Sequence, residues 1–257
     1  MTGRIGFAAK NGIGQIVLDR PQKMNAITPE MTLELQRICG EIDANRDIRV
    51  VTIAGEGERA FSAGSDLLSL GELTDLFSFR DRVDYAALVR DIRKPVIAAL
   101  KGWVLGGGLE IAIASDIRIA GESARLGGPE VTLGWIGGGG ASQMLPRLVG
   151  VGQAMRLLLS GEPVDAKTAL RIGLVEEVVP DADVTARVQS LAERIASFSP
   201  IATQAVKAGV RAAISMPFEQ GLRYENELHV VCMASMERIA GIKTFQEKRD
   251  SKPKTSG

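Results

Sequence analysis

The chain of 257 residues is 45% apolar and 24% charged, a balance that excludes a disordered chain or a collagen-like fibre. At roughly 100–200 residues per domain, this length allows one large domain or two modest ones. Its 31 Lys and Arg offset 31 Asp and Glu, so it lacks the basic excess of a protein that binds nucleic acid through many phosphates.

Met1–Leu18 is interrupted by Arg4, Lys10 and glycines and so lacks the apolar core of a signal peptide. Within it, Gly14–Leu18 reads as a strand, followed by a loop at Asp19–Ile27 holding Pro21 and Asn25. Thr28-Pro29-Glu30 predicts a helix start: a hydroxyl cap, proline at the first position, and an acid at the positive end of the dipole. Met31, Leu35, Ile38 and Ile42 then form one apolar stripe at helical spacing. Val50–Ala54 is a β-branched run of buried-strand length. After a loop at Phe61–Leu67, a helix is predicted within Leu73–Asp91. Pro95–Leu100 is a third strand, Gly106–Ser115 a strand-to-helix junction, and Ile117–Ala120 and Ala124–Leu126 are short strands. From Ala141 helical pattern dominates, apart from Val175–Val179. Early alternation of strand and helix, then helices, predicts a parallel α/β layer fold with a helical C-terminal region. Ser251–Gly257, rich in Lys and Ser, reads as a disordered tail.

Cys39 and Cys232 are the only cysteines, too few for a disulfide scaffold and without CxxC spacing. The single histidine, His229, excludes zinc sites built on paired histidines and leaves a Ser-His-Asp triad dependent on one residue. The richest apolar stretch, Val96–Ala120, contains Lys101, Glu110, Asp116 and Arg118, so nothing reaches the ~18 uninterrupted apolar residues of a bilayer span. A cytoplasmic protein without a membrane or nucleic-acid partner is the expectation.

The most informative stretch is Lys101–Ser115. Three glycines after a buried strand let the backbone approach a ligand closely, and a helix beginning near Gly107 would present unpaired N–H groups to a phosphate or an oxyanion. A tight packing turn is the plainer alternative. Glu110, however, sits among Leu109, Ile111, Ala112, Ile113 and Ala114, where a carboxylate is expensive to bury without a partner or a task. Burial would raise its pKa and suit it to proton transfer; a salt-bridged structural acid is the competing reading. A second acid, Glu130, follows Pro129, and four glycines, Gly137–Gly140, precede the next helix. It too has a plainer role, as an acid in a first helical turn. Two glycine-rich turns, each with an acid, are hard to explain by packing alone. Because ligands of parallel sheets bind at the C-terminal strand edge, loop Phe61–Leu67 and turn Gly106–Gly108 are expected to converge, each offering one N–H to a shared carbonyl oxygen.

Phe61–Leu67 (FSAGSDL), residues 94–120 (KPVIAALKGWVLGGGLEIAIASDIRIA) and residues 127–143 (GGPEVTLGWIGGGGASQ) resemble the three signatures of the enoyl-CoA hydratase/isomerase (crotonase) superfamily. They stand in family order, and the likeness runs from Gly14 to about Lys248. The resemblance implies a crotonase-like spiral of ββα units over 1–195 carrying the CoA and active site. It further implies a C-terminal helical trimerisation region over 196–250, with 251–257 as the tail, and a homotrimer or a dimer of trimers. Residue by residue, it implies oxyanion-hole donors at the N–H groups of Ser65 and Gly107, catalytic glutamates at Glu110 and Glu130, and a water-positioning backbone at Gly138. Lys23, Met24, Ala63, Asp66 and Leu67 fall on the CoA path, and Phe245 and Lys248 resemble residues that meet its nucleotide end. CoA enters as part of the substrate; no metal or other cofactor is implied. Two departures stand out. Trp135-Ile136-Gly137-Gly138 replaces the more usual Thr-Ile-Pro-Gly, adding bulk near the acyl end, and Ser65 replaces a common alanine. The activity implied is hydration of a 2-enoyl-CoA to 3-hydroxyacyl-CoA, with isomerisation of a 3-enoyl-CoA to a 2-enoyl-CoA, or another crotonase-type acyl-CoA transformation, as the alternative.

Three other readings compete. Gly55-Glu56-Gly57-Glu58-Arg59-Ala60 fits a dinucleotide fingerprint, which should open a helix. His229 would have to serve a serine hydrolase, for which no G-x-S-x-G elbow exists. A non-catalytic scaffold on the same fold would have no need of both glutamates.

Overall fold

The computed structural model describes residues 3–71, 75–239 and 242–243. The chain opens with a hairpin of β1 (Arg4–Lys10) and β2 (Ile13–Asp19), paired antiparallel from Arg4↔Asp19 to Lys10↔Ile13. Asn11 and Gly12 join them with φ of 53° and 80°, the two-residue turn that Asn-Gly favours because its twist matches that of the strands. The first strand is absent from the sequence prediction, since Ile5 is the one deeply buried side chain along it. α1 (Pro29–Ala44) starts as expected: the Thr28 hydroxyl accepts from the Met31 N–H, and Met31, Leu35, Ile38 and Ile42 are wholly buried.

The strands that follow come in pairs. β3 (Val50–Gly55) is followed by β4 (Ala60–Ser62), β5 (Val96–Leu100) by β6 (Trp103–Leu105), and β7 (Ile117–Gly121) by β8 (Arg125–Gly127). The first member of each pair joins a six-stranded sheet ordered β1-β2-β3-β5-β7-β10, parallel from β2 onward, where β10 is Glu177–Val179. The second members form a smaller sheet, β4-β6-β8-β9, closed by β9 (Val164–Asp165). Helices intervene: α2 (Leu67–Gly71), α3 (Leu76–Arg80) and α4 (Tyr85–Asp91) after β4, and α5 (Gly107–Ala114) after β6. This repeated strand–strand–helix step is the spiral of ββα units that the sequence resemblance implies. The single helix predicted within Leu73–Asp91 is instead two short ones, because Asp84 caps a fresh start by accepting from the Ala86 N–H. β4, β6 and β9 went unpredicted, being two or three residues long.

Alternate side chains of the large sheet face two cores. Val51, Val96, Ala98 and Ala120 turn towards α1, α4 and α5, whereas Ile13, Val50, Ile97 and Ile119 meet Val184, Val188 and Ala192 of α9 (Val184–Ala196). Between β8 and α9 the chain forms α6 (Ala141–Val149), α7 (Val151–Ser160) and α8 (Ala166–Arg171). Residues as far as Ala196 make one compact unit and those from Ser197 a second. In the second, α10 (Pro200–Ala212) packs on α11 (Phe218–Ala234); the Ser199 hydroxyl caps α10, and Val206, Val210, Leu222 and Val231 are exposed. No helix among the described residues is long and apolar enough to cross a membrane.

Candidate active site

Asn25 anchors the first wall of the site. It is completely buried with φ of 54°, and its amide donates to the Glu56 and Ala60 carbonyls at 3.0 and 2.8 Å while accepting from the Arg20 N–H. The Ser62 hydroxyl donates to the Asn25 carbonyl at 2.8 Å and accepts from the Gly64 N–H. The next residues run beside Ile27: its N–H donates to the Gly64 carbonyl and its carbonyl accepts from the Asp66 N–H, at 2.8 and 2.9 Å. In such a parallel step the intervening residue turns its own N–H the opposite way. That residue is Ser65.

The second wall is the start of α5. Gly106 has φ of 55° and ψ of −123°, a conformation open to glycine alone. It turns the chain so that Gly107 begins the helix with an N–H that has no intrahelical acceptor. A Cβ on Gly64 would stand 2.7 Å from the Gly107 nitrogen, so the two walls meet. Neither the Ser65 nor the Gly107 N–H has an acceptor among the described residues.

Glu110 lies in the first turn of α5, 3% exposed. Its Oε1 accepts from the Gly139 N–H at 2.7 Å and the Ala141 N–H at 3.2 Å, so the four-glycine turn wraps this carboxylate. Burial pushes its pKa up to about 7; the two backbone donors work against that rise, and the charges of Glu130 and Asp84 add to it. Glu130 sits in a short 3-10 turn, Pro129–Leu133, and burial raises its pKa too. Its Oε2 is buried with no hydrogen-bond partner among the described residues, and its Oε1 lies 3.3 Å from where a Cβ on Gly106 would stand. One carboxylate is therefore well supplied with donors and the other is not.

Ser65, Gly107, Glu110 and Glu130 line one cavity of about 730 Å³, together with Ala63, Leu67 and Gly138. Val83, Leu133, Trp135 and Ile136 give it an apolar side, and Arg82 and Asp84 line it as well. Gly138 backs onto Arg82, whose Nη2 lies 2.4 Å from the place a Cβ would take. It is the neighbouring Gly139 that binds Glu110.

Lys23, Met24 and Asp66 are not among the lining residues. The Met24 carbonyl accepts from the Ala63 N–H, and Asp66 is ion-paired with Arg20 at 2.8 Å. Phe245, Lys248 and the 251–257 tail lie outside the described residues. Three contributors escaped the sequence reading. Asn25 reads from the sequence only as a loop residue, and Arg82 and Tyr85 fall in a stretch without pattern. Elsewhere, Gly55–Ala60 leads into β4 and not into a helix, which removes the dinucleotide fingerprint, and His229 is an exposed residue of α11.

The family model described as enoyl-CoA hydratase/isomerase matches residues 8–255. The chain is 36% identical over 247 residues to (E)-benzylidenesuccinyl-CoA hydratase of Thauera aromatica, covering 95% of this chain and 96% of that protein. It is 33% identical to the short-chain-enoyl-CoA hydratase of Clostridium acetobutylicum, covering 92% of each. Among solved structures, an enoyl-CoA hydratase from Bacillus anthracis superposes with a TM-score of 0.91 at 36% identity, over 95% of this chain and 96% of the other. Sequence, fold and the pairing of glycine turns with two acids agree: the chain belongs to the enoyl-CoA hydratase/isomerase family and has the crotonase fold.

Proposed function

We propose that the protein is a hydro-lyase that adds water across the 2,3 double bond of a 2-enoyl-CoA to give the 3-hydroxyacyl-CoA. The observation that carries this reading is the meeting, in one cavity, of a buried carboxyl group, Glu110, and a half-buried one, Glu130, from different elements with two unpaired backbone N–H groups. In a 2-enoyl thioester the double bond is conjugated with the carbonyl, so attack at Cβ drives negative charge onto the thioester oxygen. The Ser65 and Gly107 N–H groups receive that charge; loss of one comparable donor costs roughly 2.7–4 kcal/mol in a related kind of site.

Glu110 takes a proton from the attacking water and Glu130 delivers one to Cα. The hydrogen bonding supports this division. Two N–H donors oppose a rise that burial carries to about 7, so the charged form of Glu110 is available near neutral pH, while burial also raises the pKa of Glu130, whose Oε2 has no donor among the described residues. Two neighbouring carboxyl groups holding one proton between them titrate as a pair. Gly138 helps hold the water, and every step is a proton transfer or an addition, so the reading calls for no metal or redox group. CoA, as part of the substrate, runs past Ala63, Asp66 and Leu67 and the Lys23–Met24 loop, with Phe245 and Lys248 at its nucleotide end. Trp135 and Ile136 flank the acyl group. Relatives named for a short-chain enoyl thioester and for (E)-benzylidenesuccinyl-CoA support testing both small and aryl acyl groups. A homotrimer or a dimer of trimers in the cytoplasm belongs to the same reading, supported by the exposed apolar residues of α10 and α11.

The test is loss of enoyl absorbance across a panel of 2-enoyl-CoA thioesters. Glu110→Gln and Glu130→Gln should each slow crotonyl-CoA hydration at least about a hundredfold with the fold intact by circular dichroism. Near-normal turnover would remove that residue from the mechanism. Solvent ¹⁸O appearing in a 3-hydroxyacyl product distinguishes hydration from the isomerase alternative, which moves a proton and adds no oxygen.

A further inference from the structure

We propose that Tyr85 is a positioning residue of the oxyanion cradle, its hydroxyl bridging the loop that carries the Ser65 N–H and the helix start that carries the Gly107 N–H. This rests on the hydratase reading above. The Tyr85 Oη lies 2.8 Å from the Ser65 Oγ, and it stands 1.7 Å from where a Cβ on Gly107 would be. It therefore fills the space beside Gly107 that a side chain would take, while holding Ser65. The two N–H groups belong to different elements, and Tyr85 comes from a third, the first turn of α4. That helix is firmly seated: Asp84 caps it, and Ala86 and Val89 are wholly buried.

This arrangement gives the Ser65 side chain a purpose beyond the backbone donor. It also accounts for glycine at position 107, since any side chain there would collide with the phenol. Burial raises the phenol pKa, so the hydroxyl stays protonated at any working pH and the contact does not titrate away. A cradle whose two donors must both reach one oxygen is sensitive to their separation, because hydrogen bonds weaken steeply with poor geometry. Releasing the clamp should then weaken charge stabilisation in the transition state more than substrate binding.

Tyr85→Phe removes only the hydroxyl. The expected result is a fall in kcat of about tenfold, or about 1.4 kcal/mol, with KM within about twofold. Ser65→Ala should do the same, and the double variant should be no worse than the poorer single one. A second readout avoids turnover. Bound acetoacetyl-CoA forms an enolate whose ultraviolet absorbance reports its ionisation, and in either variant that ionisation should move to higher pH by about one unit. Wild-type kcat in both variants with an unmoved enolate titration overturns the inference, as does an effect confined to KM. Should Tyr85→Phe fail to fold, Ser65→Ala decides the matter, since it breaks the bridge and leaves the ring in place. If the wild-type protein hydrates no 2-enoyl-CoA, the hydratase reading falls alone, and the enolate titration still judges the clamp.

Discussion

A carboxylate as deeply buried as Glu110 costs the fold stability. Its pKa rises from the ordinary 4.5 to about 7, so the folded protein holds that proton more tightly than the unfolded chain does. Below about pH 4.5 both states are protonated and nothing is lost. Between about 4.5 and 7 the unfolded state ionises first, and stability falls as pH rises; above about 7 the loss levels off. At 1.36 kcal/mol per unit the full loss is about 3 kcal/mol. Glu110→Gln cannot ionise, so its melting temperature should exceed that of the native protein at pH 8 and match it near pH 4.5. Parallel melting curves across that range would mean that the site does not desolvate Glu110. A residue that destabilises its own fold is what a site tuned for chemistry would contain.

Among the elements, the loops that shape the site are held by side chains more than by ladders. Asn25 is the clearest case, tying the segment after β2 to both ends of the β3–β4 connection through the Glu56 and Ala60 carbonyls. Asn25→Ala would leave those carbonyls without that donor, and a buried group left unsatisfied costs about 1–3 kcal/mol. Urea unfolding should show a loss of about 2–4 kcal/mol, with the proposed hydration reduced because the segment beside which the Ser65 loop runs loses its side-chain tie to the β3–β4 connection. An unchanged midpoint would show that water satisfies these groups. The sequence displayed this residue type in a loop, where asparagine is common, and so offered no sign that it was buried. Likewise, Tyr85 is one aromatic in a stretch without periodicity, and only its contacts with Ser65 and Gly107 reveal its place.

Across the whole first unit, the buried Arg118 joins parts that are distant in sequence. From β7 it donates to the Ala112 and Ser115 carbonyls at the end of α5 and to the Leu174 carbonyl, and it pairs with Glu176 beside β10. Arg118→Met keeps the stem and removes every side-chain donor, leaving the backbone N–H on Glu176. The loss should be about 2–5 kcal/mol by denaturant, while the rate of the proposed hydration at 25 °C stays near normal because Arg118 does not line the cavity. A collapse of kcat without loss of stability would contradict that assignment.

What the amino-acid order determined unaided is what short-range physics encodes. The cap and stripe of α1, the β-branched cores of β3 and β5, and acids set in apolar or glycine-rich surroundings each carry their signal within a few residues. The family likeness rested on the same local stretches. Pairing of the brief β4, β6 and β9 strands was decided only by the folded chain, since two or three residues hold no period and their partners lie far along the sequence. So were the nearness of Ser65, Tyr85 and Gly107, the donors on Glu110 and the bare oxygen of Glu130. Distance and desolvation arise when separate segments exclude water together, and no single segment contains that information.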